Sequence, residues 1–231
     1  MGFNETTSKD VNHAFFNSPS KKMFYVLGVS FARYLAIPET GKSGVCFTRN
    51  VWLDKGANLL EIVKSSLDSE HEVSGPKHAS GHSYSFGFRC SEVEEELLRY
   101  GLGVTKKDRT FPENIPGEYM DHFLRGFFDA QVTVSMVKGK KHRRRRIAVY
   151  FNETFLEGLA KNLHEHADVR HIAVGSHGSG GKLIYTKQGE IDGIRDFLYK
   201  DWDYIQESGL YLPFKMRRFE RVRQLDSCSV E

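Results

Sequence analysis

The sequence of 231 residues contains little cysteine and no long apolar run, and its net charge is only +3. The three cysteines, Cys46, Cys90 and Cys228, are an odd number without the paired spacing of a zinc site, which indicates a reducing, intracellular compartment, cytoplasmic or nuclear. No stretch has the pattern of a signal peptide or the length of a transmembrane helix, so we predict no membrane partner. Because the net charge is small, it does not indicate the kind of partner, and the local distribution of basic residues is more informative.

Two other kinds of site lack their motifs. Histidines form two groups along the chain, which are His71, His78 and His82, and His164, His166 and His171. Neither group is accompanied by a CxxC-type pair, so we predict no metal and no cofactor. The glycine-rich runs at 41–44 and 175–182 do not have the pattern of a phosphate loop and are predicted to be hairpin turns.

The stretch Tyr119–Ser135 is predicted to be a helix that runs directly into a strand. Phe123, Leu124 and Phe127 recur at helical spacing, and the apolar period changes to two beyond the helix. Gly126 lies in the middle of this helix, where glycine costs about 1 kcal/mol relative to alanine. A glycine tolerated at that position indicates that something packs closely against the backbone.

A second copy of this pattern occurs at Lys22–Ile37, with Gly28 at its centre, so we expect the two helices to pack on each other about a pseudo-two-fold axis. The runs VLGVSFARY (26–34) and LRGFFDAQV (124–132) resemble the paired LAGLIDADG motifs of homing endonucleases. Gly28 and Gly126 stand at the motif glycine, which implies that they form the helix interface.

The resemblance also locates the positions at which the family carries its metal-binding catalytic carboxylates. These positions are Arg33 in the first copy and Gln131 in the second. Arg33 would repel a divalent cation, and Gln131 offers only a neutral oxygen. Asp129 lies two residues before Gln131 and should point away around the helix. The family scaffold is therefore expected without its catalytic pair, and we predict that the protein is not an enzyme.

The order of elements repeats along the chain. The run FLEGLAKNL (155–163) aligns with LLEIVKSSL (59–67) in the other half. Strand pairs are expected at 72–73 with 83–90 and at 170–174 with 182–186. The resemblance thus covers nearly the whole chain. It implies an α+β fold of tandem αββαββα halves, in a monomer whose antiparallel sheets form a saddle on duplex DNA. The predicted division is an N-terminal half at 1–104, a linker at 105–118 and a C-terminal half at 119–231.

The most basic stretch is KGKKHRRRR at 138–146, which has seven Lys or Arg in nine residues at a predicted hairpin tip. Arginine forks match phosphate oxygens and guanine edges, so we expect this tip to contact DNA. The residues concerned are Lys138, Lys140, Lys141, Arg143, Arg144, Arg145 and Arg146. A solvated loop and a localisation signal stay open as alternatives.

Polar residues on the predicted strands are further DNA-binding candidates, because the family reads bases with one face of each sheet. They are Thr48, Arg49, Ser83, Ser85, Arg89, Thr133, Ser135, Arg144, Arg146, Arg170, Lys182 and Thr186. The strand register decides which of them share a face. Lys106 and Lys107 match a segment in which the family often has basic residues near DNA.

We expect sequence-specific binding of double-stranded DNA, with a regulatory role in transcription. Three alternatives stay open. The first is a metal-dependent DNA endonuclease with relocated acidic residues. The second is an RNA-binding intron maturase, and the third is a protein-interaction module that uses the basic tip elsewhere.

Overall fold

The computed structural model describes residues 11–36, 45–50, 57–77, 83–102, 105, 107–138 and 143–223. Helices and strands follow the repeated order that the sequence predicts. The helices are α1 (Lys21–Arg33), α2 (Ala57–Ser66), α3 (Ser91–Arg99), α4 (Met120–Gln131), α5 (Glu153–Ala167), α6 (Gln188–Leu198), α7 (Trp202–Ser208) and α8 (Pro213–Arg223). The strands are β1 (Tyr34–Ala36), β2 (Val45–Asn50), β3 (Ser74–Lys77), β4 (Ser83–Phe88), β5 (Thr133–Lys138), β6 (Arg143–Phe151), β7 (Gly175–His177) and β8 (Gly180–Tyr185).

The strands form two four-stranded antiparallel sheets with the same topology. The order is β1-β2-β4-β3 in the first sheet and β5-β6-β8-β7 in the second. Each sheet follows one of the two glycine-centred helices in sequence, since α1 leads directly into β1 and α4 leads into β5. The shared order confirms the predicted α+β fold of two tandem repeats.

Packing divides the chain into two compact units. The first comprises Met1–Asp108 and Asn114–Ala130, and the second comprises Arg109–Glu113 and Gln131–Glu231. The sequence repeat begins its second copy at α4, whereas packing assigns α4 to the first unit together with α1. The short segment 109–113 packs in the second unit, where the ring of Phe111 lies 5.3 Å from that of Phe155.

Helices α1 and α4 meet at their two glycines. A Cβ atom added to Gly28 would clash with the carbonyl oxygen of Phe123 and lie 2.8 Å from the amide nitrogen of Phe127. A Cβ atom added to Gly126 would clash in the same way with the carbonyl oxygen of Tyr25. The two helix backbones therefore touch without intervening side chains, as the sequence predicts for a pair of mid-helix glycines.

Local signals in the sequence set the helix ends. The Oγ atom of Ser20 accepts a hydrogen bond from the amide of Met23 at 3.1 Å and so caps the start of α1. Asn152 caps α5 in the same manner, because its Oδ1 accepts from the amide of Phe155 at 2.8 Å. Helix α7, which the sequence reading did not predict, ends at Gly209 in the left-handed region with a φ of 66°.

The strand prediction for the second sheet is wrong in one place. The segment 170–174 was expected to be a strand, but β7 lies at Gly175–His177, inside the run that was predicted to be a turn. Only Gly178 and Ser179 form the turn between β7 and β8, and Gly178 has a φ of 58°. Gly181 lies in strand β8, and a Cβ atom there would lie 2.6 Å from the Cγ1 of Val174, so packing favours glycine at this strand position. The other glycine-rich run, 41–44, lies outside the described residues.

Candidate nucleic-acid interface

The second sheet has one face in the core and one polar face. Val134 and Ile147 are in register and fully buried, which places the neighbouring pair, Ser135 and Arg146, on the opposite face. Lys182 joins the same polar face, and it pairs in register with Tyr150. We call this surface the polar face of the second sheet and define it by Ser135, Arg146, Tyr150, Lys182 and His177.

Two polar atoms on this face are shielded from solvent without an internal partner. The Oγ of Ser135 and the Nε of Arg146 have no hydrogen-bond partner among the residues that the structure describes. Buried polar groups are nearly always paired, so an unpaired donor beside an unpaired hydroxyl is unusual, and a rotation of either half-buried side chain would bring it to an external partner. A phosphate oxygen or a base edge is a suitable acceptor for the guanidinium.

An aromatic pair also lies on this face and was missed by the sequence reading. The rings of Tyr150 and His177 are 4.5 Å apart, in a tilted arrangement. Tyr150 could have been found by continuing the alternation of strand β6 two residues beyond Ala148. His177 could not, because it lies in the run that was interpreted as a turn.

The remaining candidates of the second unit are distributed as follows. Thr133 is exposed on β5, and Thr186 is exposed immediately after β8. Arg145 pairs with Met136, one position out of phase with Arg146. Arg170 lies outside the strands, and its Nε is 3.5 Å from the Oε1 of Glu190.

The basic hairpin is only partly within the described chain. In register, Lys138 pairs with Arg143 and Val137 pairs with Arg144, which places these positions at the end of the β5–β6 pair where the chain passes from one strand to the next. Lys140 and Lys141 lie outside the described residues, and so does Lys106. Lys107 is exposed between β4 and α4 in sequence.

The first sheet brings some of its candidates together. Thr48 pairs with Ser85, and Ser83 pairs with Asn50, so strand alternation assigns these four positions to one face of the sheet. Arg49 pairs with Tyr84, and this pair belongs to the other face. Arg89 follows β4 and is half-buried. Strand β4 lies within the predicted strand 83–90, and its Phe86 and Phe88 are in the core.

Arg33 contacts the end of the neighbouring motif helix. Its Nε donates to the carbonyl oxygen of Ala130 at 2.9 Å, and its Nη2 donates to the same oxygen. This carbonyl belongs to the last turn of α4, where unpaired carbonyl groups carry partial negative charge. The guanidinium of Arg33 therefore caps α4, the neighbouring motif helix.

Gln131 also donates to a main-chain carbonyl. Its Nε2 donates to the carbonyl oxygen of Tyr150 at 2.8 Å, which joins the last residue of α4 to strand β6. Arg33 thus directs nitrogen donors to the end of α4, and Gln131 directs one to strand β6. Neither supplies a carboxylate for a divalent cation.

Asp129 is a buried partner of α1. The sequence predicts only that it points away from position 131 around the helix, and in the structure 1% of its surface is exposed. Its Oδ2 accepts a hydrogen bond from the Oη of Tyr25 at 2.9 Å. The guanidinium of Arg125 lies over the ring of Tyr25, 5.4 Å from its centroid. The carboxylate of Asp129 is therefore part of the buried polar contact between α1 and α4.

Tyr185, at the end of β8, gives a prediction for alkaline pH. Burial, with a further contribution from the charge of Glu190, raises the pKa of Tyr185 to about 12. The unfolded chain ionises this phenol near pH 10. Stability from this group is therefore complete below pH 10 and is lost as the pH rises towards 12.

We expect Tyr185→Phe to abolish most of this loss while leaving stability at pH 7 within about 1 kcal/mol of wild type, because the Oη of Tyr185 has no partner among the described residues. Urea titrations at pH 7 and at pH 10.5 measure the difference. Equal alkaline losses in the two proteins would contradict the assignment, and Tyr150→Phe, on the polar face, is the matched control.

No protein-family profile matches the sequence. No curated protein matches it either.

Several solved structures do resemble it. The LAGLIDADG meganuclease I-AabMI bound to uncleaved DNA is 12% identical with a TM-score of 0.61, and the match covers 88% of this chain and 91% of that one. The homing endonuclease I-WcaI bound to its DNA recognition sequence is 11% identical with a TM-score of 0.59, over 95% of each chain. The LAGLIDADG homing endonuclease I-GzeII in complex with its DNA target is 11% identical with a TM-score of 0.53, over 90% of this chain and 98% of that one.

At these identities the likeness establishes the fold. The chain has the fold of the LAGLIDADG homing endonucleases, in its form with two motifs in one chain, as the paired motif resemblance predicts. Within the described residues, none of the helices has both the length and the apolar character needed to cross a membrane.

The comparisons correct one prediction. The replacement of the two motif carboxylates led to the prediction that the protein is not an enzyme. The solved structures that share the fold are homing endonucleases, which are enzymes, and nothing shows that this chain has lost such activity. The identity of residues 33 and 131 therefore does not decide whether the chain cleaves DNA.

Proposed function

We propose that this protein binds double-stranded DNA sequence-specifically, with the polar face of the second sheet against the DNA. The observation that carries the proposal is the pair Ser135 and Arg146, whose Oγ and Nε are shielded and have no partner in the described chain. An arginine fork next to a hydroxyl suits a guanine edge or a phosphate. Lys182 and Tyr150 extend the same face.

The charge distribution supports this proposal. The run at 138–146 carries seven of the 33 Lys and Arg residues of a chain whose net charge is only +3. Two of its residues, Lys138 and Arg143, pair with each other where the chain passes from β5 to β6. Such a concentration of positive charge at one end of a sheet attracts a polyanion, and phosphate contacts fix the register of a protein on duplex DNA.

The solved structures support it independently. I-AabMI, I-WcaI and I-GzeII share this fold, and each has been solved on DNA. The proposed partner follows from the fold together with the polar face, since the fold by itself specifies no function. A DNA partner also places the protein inside the cell, which agrees with the compartment expected from its cysteines.

A second candidate function is a metal-dependent DNA endonuclease. The fold shared with the homing endonucleases favours it. Cleavage would need carboxylates at positions other than 33 and 131, because those side chains offer nitrogen donors to the carbonyls of Ala130 and Tyr150. Asp129 would have to leave its hydrogen bond with Tyr25 to serve as one of them.

One selection experiment tests both candidates. The full chain is incubated with a randomised duplex library in Mg²⁺, and both the bound molecules and all new DNA ends are sequenced. An enriched intact motif is the expected result for a specific binder, and an enriched motif with breaks at a fixed position is expected for the endonuclease. Binding that is salt-sensitive but enriches no motif would contradict sequence-specific recognition.

Two further arms separate the remaining alternatives. Structured RNA that competes better than duplex DNA would indicate an RNA-binding maturase. Binding of a protein partner that does not change with salt would indicate an interaction module. The regulatory role expected from the sequence is the finer form of our proposal. It requires that the selected motif, placed upstream of a reporter gene, changes transcription when the protein is present.

A further inference from the structure

Three side chains with metal-binding atoms meet in the first unit, at the start of α3. Cys90 immediately precedes α3, Glu92 is the second residue of that helix, and His13 comes from the segment before the short turn Phe15–Asn17. Among the residues that the structure describes, these three form a group whose ligand atoms all lie within 4.8 Å of one another. The sequence reading predicted no metal site here, because the histidine is 77 residues from the cysteine.

The three ligand atoms form a nearly equilateral triangle. The Nδ1 of His13 lies 3.4 Å from the Sγ of Cys90 and 3.6 Å from the Oε2 of Glu92. The Sγ of Cys90 lies 3.5 Å from the same carboxylate oxygen. The two separations from the Sγ are ordinary hydrogen-bond distances for sulfur, whereas the separation of 3.6 Å between His13 and Glu92 is longer than a direct hydrogen bond between nitrogen and oxygen.

The triangle has the size of one face of a zinc coordination tetrahedron. Zinc lies about 2.3 Å from sulfur and about 2.0–2.2 Å from nitrogen and oxygen, so tetrahedral angles put sulfur about 3.5–3.7 Å from the other ligand atoms and nitrogen about 3.3–3.5 Å from oxygen. Each of the three observed separations lies within about 0.1 Å of the range for its own pair of atoms. We propose that His13, Cys90 and Glu92 bind a zinc ion.

The chemistry of the donors suits this metal. Thiolate, imidazole and carboxylate are the three ligand types that zinc takes in proteins. The Oγ of Ser91 donates to the Oε2 of Glu92 at 3.0 Å, which is the kind of outer contact that orients a metal-bound carboxylate.

The exposure of the ligands leaves room for a fourth, exchangeable ligand. Cys90 is buried, whereas the side chains of His13 and Glu92 are 34% and 56% exposed. A water molecule can complete the tetrahedron on the exposed side, as in zinc sites that have three protein ligands. We therefore expect a site that a chelator empties readily.

A bound zinc would fasten the N-terminal segment to the rest of the first unit. The amide of Asn12 donates to the carbonyl oxygen of Leu67 at 2.9 Å, and Phe15 and Phe16 are buried. Zinc adds a covalent-strength link between this segment and the start of α3. The ion is thus proposed as a structural element of the first unit, and the proposal does not depend on DNA binding.

Cobalt substitution tests the site directly. The full chain is treated with EDTA, dialysed and titrated with Co²⁺ under reducing conditions. We expect one equivalent of Co²⁺ to produce a thiolate-to-cobalt charge-transfer band and the visible bands of tetrahedral cobalt, and Zn²⁺ to displace it. Cys90→Ser should abolish the charge-transfer band, and Cys46→Ser, which removes another buried thiol of the same unit, should keep it.

A second variant covers a failure of Cys90→Ser to fold. Glu92 is exposed, so Glu92→Gln should fold normally while binding zinc on the order of 100-fold more weakly, in a competition with a chromophoric chelator. Zinc should also raise the melting temperature of wild type and leave that of Cys90→Ser unchanged. Absence of a cobalt band in wild type, or a band that persists in Cys90→Ser, would overturn the site and leave a metal-free hydrogen-bonded triad.

Discussion

Gly126→Ala is expected to lower the free energy of unfolding of the first unit by about 3 kcal/mol or more. The new methyl group would overlap the carbonyl oxygen of Tyr25 and lie 2.9 Å from its carbonyl carbon and 3.1 Å from the amide nitrogen of Val29. These atoms belong to the backbone of α1, so no side-chain rotation relieves the overlap and the helices must separate. The intrinsic gain of alanine over glycine in a helix, about 1 kcal/mol, is too small to compensate.

The partner glycine should behave in the same way. Gly28→Ala would place its methyl group against the carbonyl of Phe123 and 2.8 Å from the amide nitrogen of Phe127. Because either substitution already forces α1 and α4 apart, the double variant should cost less than the sum of the two single ones. Full additivity would mean that the two contacts fail independently and would contradict a shared close approach of the backbones.

Gly189→Ala provides the matched control. Gly189 lies in the first turn of α6, and nothing lies within 4 Å of a Cβ atom added there. The same substitution should therefore be neutral or stabilise by up to about 1 kcal/mol. Urea titration followed by circular dichroism measures all three variants, and hydrogen exchange of the α1 and α4 amides locates the loss. Hydrogen exchange is needed because a chain of two compact units need not unfold in one transition.

This helix interface is the part of the fold that the sequence predicts best. A glycine in the middle of an apolar helix has a cost that only close packing explains, and Gly28 and Gly126 carry that signal within nine-residue windows. The strand predicted at 83–90 is equally local, and the structure has strand β4 there. Patterns that depend on neighbours in sequence could be read in advance.

Features that depend on partners distant in sequence could not be predicted. Glycines at 180 and 181 were attributed to a turn, whereas the backbone of Phe151 and the side chain of Val174 exclude larger residues there. The hydrogen bonds of Arg33 to Ala130 and of Tyr25 to Asp129 join residues 97 and 104 positions apart. The approach of His13 to Cys90 is of the same kind.

The catalytic interpretation failed for a different reason. Positions 33 and 131 do lack carboxylates, and their side chains donate hydrogen bonds to the carbonyls of Ala130 and Tyr150. The step from two missing carboxylates to a protein without enzymatic activity was not justified, because the solved structures with this fold are endonucleases. A fold accommodates chemistry at more than one set of positions, so activity must be measured on DNA.

The second large effect is expected at the polar face of the second sheet, and it rests on the proposed function. Arg146→Gln should weaken binding of the selected DNA motif by about 1–3 kcal/mol, which is roughly 5- to 150-fold in Kd. The substitution removes the guanidinium whose Nε lacks a partner beside Ser135. Lys161→Gln is the matched control, because Lys161 is 70% exposed on α5 and pairs there with Glu165. Helix α5 covers the core face of the second sheet with buried residues such as Leu159. Lys161 is on the outer surface of this helix, so its charge is on the opposite side of the sheet from the polar face.

Replacing Lys138, Lys140, Lys141 and Arg143 together with glutamine should have a different signature. If these positions contact phosphates, the slope of log K against log salt concentration falls by about 0.9 for each contact, or about 3–4 in all. Affinity should drop for every duplex, while the preferred sequence stays the same, because phosphate contacts carry no sequence information. Arg146→Gln, in contrast, should relax the preference at one or two base pairs if its guanidinium reads a base edge.

Fluorescence anisotropy with labelled duplexes between 50 and 300 mM salt separates the two roles, since it gives affinity, slope and preference for each variant. An Arg146→Gln variant that keeps wild-type affinity and preference would remove the polar face from the interface, even if the hairpin variant loses binding. The basic tip would then act alone, as an electrostatic anchor without sequence recognition. Loss of binding in Lys161→Gln as large as in Arg146→Gln would show that total charge, and not the polar face, determines affinity.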